Sequence, residues 1–110
     1  TSWFVIGGAG SDSVYEYNSD WSNLIQSYLI QPGNPQSLFW DKTYWWVSDF
    51  GGGNYIYKYY NNWTYTEQSY SIAQDAPSDI FQDDNNWWML GGGGHGNVYQ
   101  YTTGEVDEPT

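Results

Sequence analysis

The chain has no cysteine, no arginine and only two lysines, Lys42 and Lys58, among its 110 residues. Without cysteine there are no disulfides, no thiolate metal ligands and no cysteine nucleophile. Two cations against 13 acidic residues leave a formal net charge of -11. That balance argues against nucleic acid as a partner, because phosphate binding needs a basic footprint, and equally against an anionic membrane surface. No apolar run approaches the roughly 20 residues of a membrane-spanning helix, so no membrane insertion is expected. The start has neither the basic segment nor the long apolar stretch of a signal peptide. It opens on Thr1 rather than methionine, which reads as a processed product or an excised piece. The length allows one small domain.

Catalytic signatures are equally scarce. One histidine, His95, cannot supply a Ser-His-Asp arrangement, and no G-x-S-x-G elbow occurs. Nothing in the sequence sets two carboxylates at a glycosidase separation. The chain is therefore not read as an enzyme, and no cofactor is expected. His95 sits among glycines with no second histidine or any cysteine, so it reads as a turn residue rather than a metal ligand. Asp83-Asp84-Asn85-Asn86 offers oxygen ligands in a row but lacks the spacing of a calcium loop, and reads as a tight turn.

What the chain has in abundance is aromatic surface: 12 Tyr, 8 Trp and 4 Phe, with 13 Gly beside them. It is too aromatic to be disordered and poor in the residues that build helices. The expected class is all-β. A shift of 42 positions aligns the sequence with itself without a gap. Trp3 falls on Trp45 and Trp87, Tyr15 on Tyr57 and Tyr99, and Tyr17 on Tyr59 and Tyr101. Trp21 meets Trp63, Pro35 meets Pro77, Phe39 meets Phe81 and Asp41 meets Asp83. The units are 1–42, 43–84 and a partial 85–101; residues 102–110 break the repeat and read as an acidic, flexible tail or linker.

Each unit carries four short β-like runs; in the second they are 38–41, 44–48, 55–59 and 65–72. A glycine-rich turn, Gly51-Gly52-Gly53-Asn54, matches Gly7-Gly8-Ala9-Gly10 and Gly91-Gly92-Gly93-Gly94. A connection ending in Pro35 returns as one ending in Pro77. Four strands per repeat of about 40 residues is the pattern of a β-propeller blade. Blades are covered on both faces, which calls for consecutive large side chains such as Trp45-Trp46-Val47.

The units resemble Kelch repeats, in which an apolar strand ends in Gly-Gly, a tyrosine-bearing strand follows and a tryptophan comes shortly after. Val5-Ile6-Gly7-Gly8, Tyr17 and Trp21 stand in that order, and Met89-Leu90-Gly91-Gly92 with Tyr101 repeats its first part. The second unit has Asp49-Phe50 in place of the double glycine, and the repeat is short for Kelch. In propellers of this kind the strand after the proline runs nearest the axis. The resemblance thus implies three outer strands, one full blade and three inner strands, about two and a half blades in all. A closed propeller takes roughly four to eight. The open ends would then expose aromatic faces, so self-association into a ring or filament is expected, as lectin-type propeller fragments do, unless the chain is a piece of a longer protein.

Propellers bind at a rim where loops converge. The glycine-rich turns and proline-bearing connections share one rim, gathering Asp12, Asn34, Asp49, Asn54, Asp75, His95 and Asn97. Acidic and amide groups beside aromatic faces suit sugar hydroxyls and their C–H faces, although turn chemistry alone also selects these residue types. Trp21 and Trp63 read either as stacking platforms or, the favoured reading, as packing between blades. Asn62-Trp63-Thr64 is a glycosylation sequon at Asn62. With the acidic surface it agrees with an extracellular place, or the surface of a cell or virion. The leading expectation is a self-assembling, lectin-like glycan-binding module. The alternatives are a structural unit of a fibre, shell or appendage, and a protein-interaction propeller.

Overall fold

The computed structural model describes residues 2–7, 13–30, 35–49, 55–71, 77–83, 86–91 and 98–102. Among them are ten strands and no helix: β1 (Ser2–Ile6), β2 (Ser13–Asn18), β3 (Leu24–Leu29), β4 (Pro35–Trp40), β5 (Trp45–Asp49), β6 (Tyr55–Tyr59), β7 (Tyr65–Ser71), β8 (Pro77–Gln82), β9 (Asn86–Gly91) and β10 (Val98–Thr102). They pair antiparallel into three sheets in chain order, β1-β2-β3, β4-β5-β6-β7 and β8-β9-β10. The fold is all-β, and its strands divide three, four and three.

Several boundaries differ from the sequence reading: β4 runs Pro35–Trp40 rather than 38–41, and β5 runs Trp45–Asp49 rather than 44–48. Pro35 and Pro77 belong to β4 and β8 rather than to the connections before them. A proline is tolerated there because the first residue of a strand need not donate to the ladder. Thr102 closes β10 opposite Asn86 instead of opening the tail.

The 42-residue repeat extends to backbone irregularities. A register shift at Glu16/Tyr17, where β2 meets β3, recurs at Lys58/Tyr59, where β6 meets β7. Another at Pro35/Ser37 recurs at Pro77/Asp79. The turns repeat as well. Asp20 accepts the Ser22 N–H at 3.0 Å, and Asn62 accepts the Thr64 N–H at 3.0 Å. Each acceptor precedes a tryptophan in the left-handed region, Trp21 at φ 67° and Trp63 at φ 68°. A non-glycine residue held there costs about 1–3 kcal/mol, a strain the surrounding structure must outweigh.

The three sheets stack face to face. Alternating positions in β1 send Phe4 and Ile6 toward the second sheet, where they meet a cluster containing Trp45, Val47, Tyr59 and Trp63. On its other face the second sheet contributes Trp46, Ile56 and Tyr70, packed with Ile80, Trp87 and Met89 of the third. Covered on both faces, β5 buries Trp45, Trp46, Val47 and Ser48 in succession, whereas β1 alternates between partly buried and exposed. Side-chain period two explains both patterns. Lys58 reaches over the Tyr44 ring at 4.0 Å, a cation–π contact within the second sheet.

The leading strands gather on one side of the stack: β4 lies alongside β8, and β1 alongside β4. Antiparallel pairing puts residues 41–44, 60–64 and 19–23 at one end of their sheets, and Ile6, Ser13, Asp49 and Tyr55 at the other.

Candidate functional site

Most of the rim residues singled out from the sequence, Asp12, Asn34, Asn54, Asp75, His95 and Asn97, lie outside the described residues. Asp49 is the last residue of β5, where its backbone pairs with Pro35. Asn62 lies in the turn between β6 and β7 and is exposed.

Trp63 and Trp21 occupy equivalent turns with equal backbone angles and opposite environments. Trp63 is 5% exposed, stacked on Trp45 at 4.6 Å and flanked by Phe4 and Tyr28 of the first sheet. It packs one sheet on another and is not open to a ligand. Its ring N–H has no hydrogen-bond partner among the described residues. Trp21 stacks on Trp3 at 5.3 Å and remains 49% exposed, because no described strand covers that face of the first sheet.

The described residues form a concave region at the end of the sheets that carries residues 41–44 and 60–64. One cleft of about 330 Å³ lies at the seam between the first and second sheets, lined by Ser2, Phe4, Trp40, Trp45 and Asn61. A second, of about 360 Å³, lies where β4 and β8 end and is lined by Phe39, Trp40, Asp41, Lys42, Gln82 and Asp83. Both volumes fall within the roughly 300–1,000 Å³ of small-molecule sites. Trp40 lines both, is 38% exposed, and leans on Trp45 at 5.1 Å.

The turn below Trp40 is rigid for a local reason. Asp41 Oδ1 accepts the backbone N–H groups of Thr43 and Tyr44 at 2.7 and 2.6 Å, and Oδ2 accepts the Trp46 indole N–H at 2.8 Å. Asp83 repeats the device, accepting the Asn86 N–H at 2.9 Å and the Trp88 indole N–H at 3.0 Å. Each carboxylate joins a tight turn to the adjacent strand. Lys42 turns through φ 82° and is exposed beside the second cleft. The cleft edges thus offer an ammonium at Lys42 and amides at Gln82 and Asn61, around the apolar faces of Trp40 and Trp45.

Two groups elsewhere have shifted acidities. The Ser22 side chain and backbone bond to Asp20 and hold its carboxyl below the usual value. Tyr28 donates its hydroxyl to Glu16 Oε1 at 2.7 Å; that hydrogen bond, with burial and the carboxylate charge, raises the phenol above its ordinary value. Neither touches the clefts.

The sequence reading did not single out Trp40, Lys42, Asn61 or Gln82. One signal was present: Trp40 breaks the repeat, since Gln82 stands 42 positions on. An aromatic that repeats is explained by the shared core; one that does not asks for a separate reason. In comparisons with family models, curated proteins and solved structures, nothing matches the chain.

Proposed function

We propose that the chain is a β-propeller module that recognises glycans, with the two clefts flanking Trp40 as its binding site. The propeller reading is supported by the unit-by-unit stacking of the sheets, by the gathering of β1, β4 and β8 on one side, and by the Kelch-like order of Val5-Ile6-Gly7-Gly8, Tyr17 and Trp21. The observation that carries the glycan reading is Trp40 itself, an exposed indole between two clefts edged by amide, ammonium and carboxylate groups. A pyranose has the complementary chemistry, with an apolar C–H face for the ring and hydroxyl edges for the polar groups. The wider, more polar cleft takes the hydroxyl-rich edge, and the seam against Trp45 takes the apolar face.

A glycan array tests this reading. Binding by the wild-type chain, and its loss by about tenfold or more in Trp40→Ala at unchanged melting temperature, is the expected result. Silence across the array would remove the glycan reading. A second reading, a structural assembly unit, is supported by a separate observation: both outer faces of the stack carry exposed aromatic and aliphatic side chains. The two readings are compatible, since repeated weak sites on an assembly gain avidity.

A further inference from the structure

Each sheet has a leading face, which meets the sheet before it, and a trailing face, which meets the sheet after it. The two internal contacts are copies of one another. Phe4 on the trailing face of the first sheet meets Trp45 on the leading face of the second at 4.8 Å. Forty-two residues on, Trp46 meets Trp87 at 4.9 Å. One further step brings the trailing face to Trp88. The leading-face residue that belongs opposite it is Trp3, the first member of the series Trp3, Trp45, Trp87. We infer that a second copy of this chain supplies it: the first sheet of one copy docks on the third sheet of the other, Trp3 against Trp88, and two copies close head to tail.

Burial at equivalent positions supports this occupant. Inside the stack, Trp45, Val47 and Trp63 on a leading face and Trp46 and Ile56 on a trailing face are all buried. Their equivalents Trp3, Val5 and Trp21, and at the other end Val98, are exposed, Val98 by 64%, while Trp88, the equivalent of Trp46, is half-buried. Phe81 is exposed on the same trailing face, and a shallow cleft of about 140 Å³ opens there between Trp88, Val98 and their neighbours. Charge follows the same logic. The chain carries -11 overall, yet the only charged residue in β1–β3 is Glu16, which sits on the covered face bonded to Tyr28. The third sheet carries one charged residue, Asp79, which lines the trailing-face cleft beside Phe81 and Trp88, so the uncharged face is the leading one. Each end therefore presents what the other is built to cover, a heterologous interface that must either close or grow.

The number of copies rests on the propeller reading above. With each of the three stacked sheets, the three-stranded ones included, taking one blade position, two copies supply six, inside the roughly four to eight of closed propellers, whereas three would supply nine. The ring therefore closes as a dimer.

The test uses two variants of the 110-residue chain at exposed positions, Trp3→Asp to block the leading end and Val98→Asp to block the trailing end. Light scattering after size exclusion is expected to give a dimer for the wild type, a monomer for each variant alone, and a heterodimer when the variants are mixed, because the mixture retains one intact end of each kind. The mixture also reports that both variants are folded. A wild-type monomer with native near-UV circular dichroism overturns the proposal. So does dimerisation of either variant alone, which indicates a like-with-like interface, and so does unlimited growth of the wild type, which denies closure. A folded monomer that still binds glycan removes the docking alone; a dimer silent on the array removes the glycan reading alone.

Discussion

Trp63 shows how a bulky residue can be held in a backbone region that normally selects glycine. At φ 68° it is strained, and the strain is offset by an indole wedged among Trp45, Tyr59, Phe4 and Tyr28. Removing that ring loses the packing and leaves a cavity. Trp63→Ala is expected to cost about 3–5 kcal/mol, the usual range for a buried tryptophan. Trp21 has the same backbone and half the cover, so Trp21→Ala is expected to cost clearly less in a dilute solution of monomers. Chemical denaturation of both variants checks the contrast; equal losses would mean that the two turns are packed alike. The glycan role proposed for Trp40 belongs to the same scale, since its ring is half-open on a site rather than enclosed in the stack.

At the scale of elements, the turns do more than reverse the chain. Asp41 ties residues 43 and 44 to the Trp46 indole, and Asp83 does the same for residue 86 and Trp88. Trp46 is 1% exposed, so losing the carboxylate strands a buried indole N–H as well as opening the turn. Asp41→Ala is expected to destabilise by about 1–3 kcal/mol, and Asp41→Asn by less, because an amide oxygen can still accept. Thermal melts of the two variants decide this; equal melting temperatures in both variants and the wild type would show the bonds to be incidental. The repeat of Asp41 with Asp83, Trp45 with Trp87 and Tyr57 with Tyr99 was enough to place ten strands, because a fixed unit length leaves few alternatives; their division among three sheets followed from the resemblance to propeller repeats. Strand ends were less legible, since Pro35 and Pro77 serve equally as the last residue of a connection or the first of a strand. The cleft around Trp40 was not legible, because it is assembled from three separate turns and strand ends, and only packing brings Asn61, Trp40 and Gln82 to one end. Which face of the first sheet lies open also needed the structure, as Trp21 and Trp63 are indistinguishable in sequence.

At the scale of the whole molecule, two tendencies oppose one another. Apolar ends favour association, while a charge of -11 on each copy resists it. Salt shortens the reach of that repulsion, from a Debye length of about 30 Å at 0.01 M to about 3 Å at 1 M, and leaves the apolar contact in place. Assembly is therefore expected to strengthen as salt rises, the reverse of an interface held by opposite charges. The most direct measurement is the native mass of the chain across that range of salt. The account predicts a discrete particle of twice the 12.7 kDa chain mass, increasingly populated with salt. A folded particle that keeps the single-chain mass at every salt concentration would contradict it.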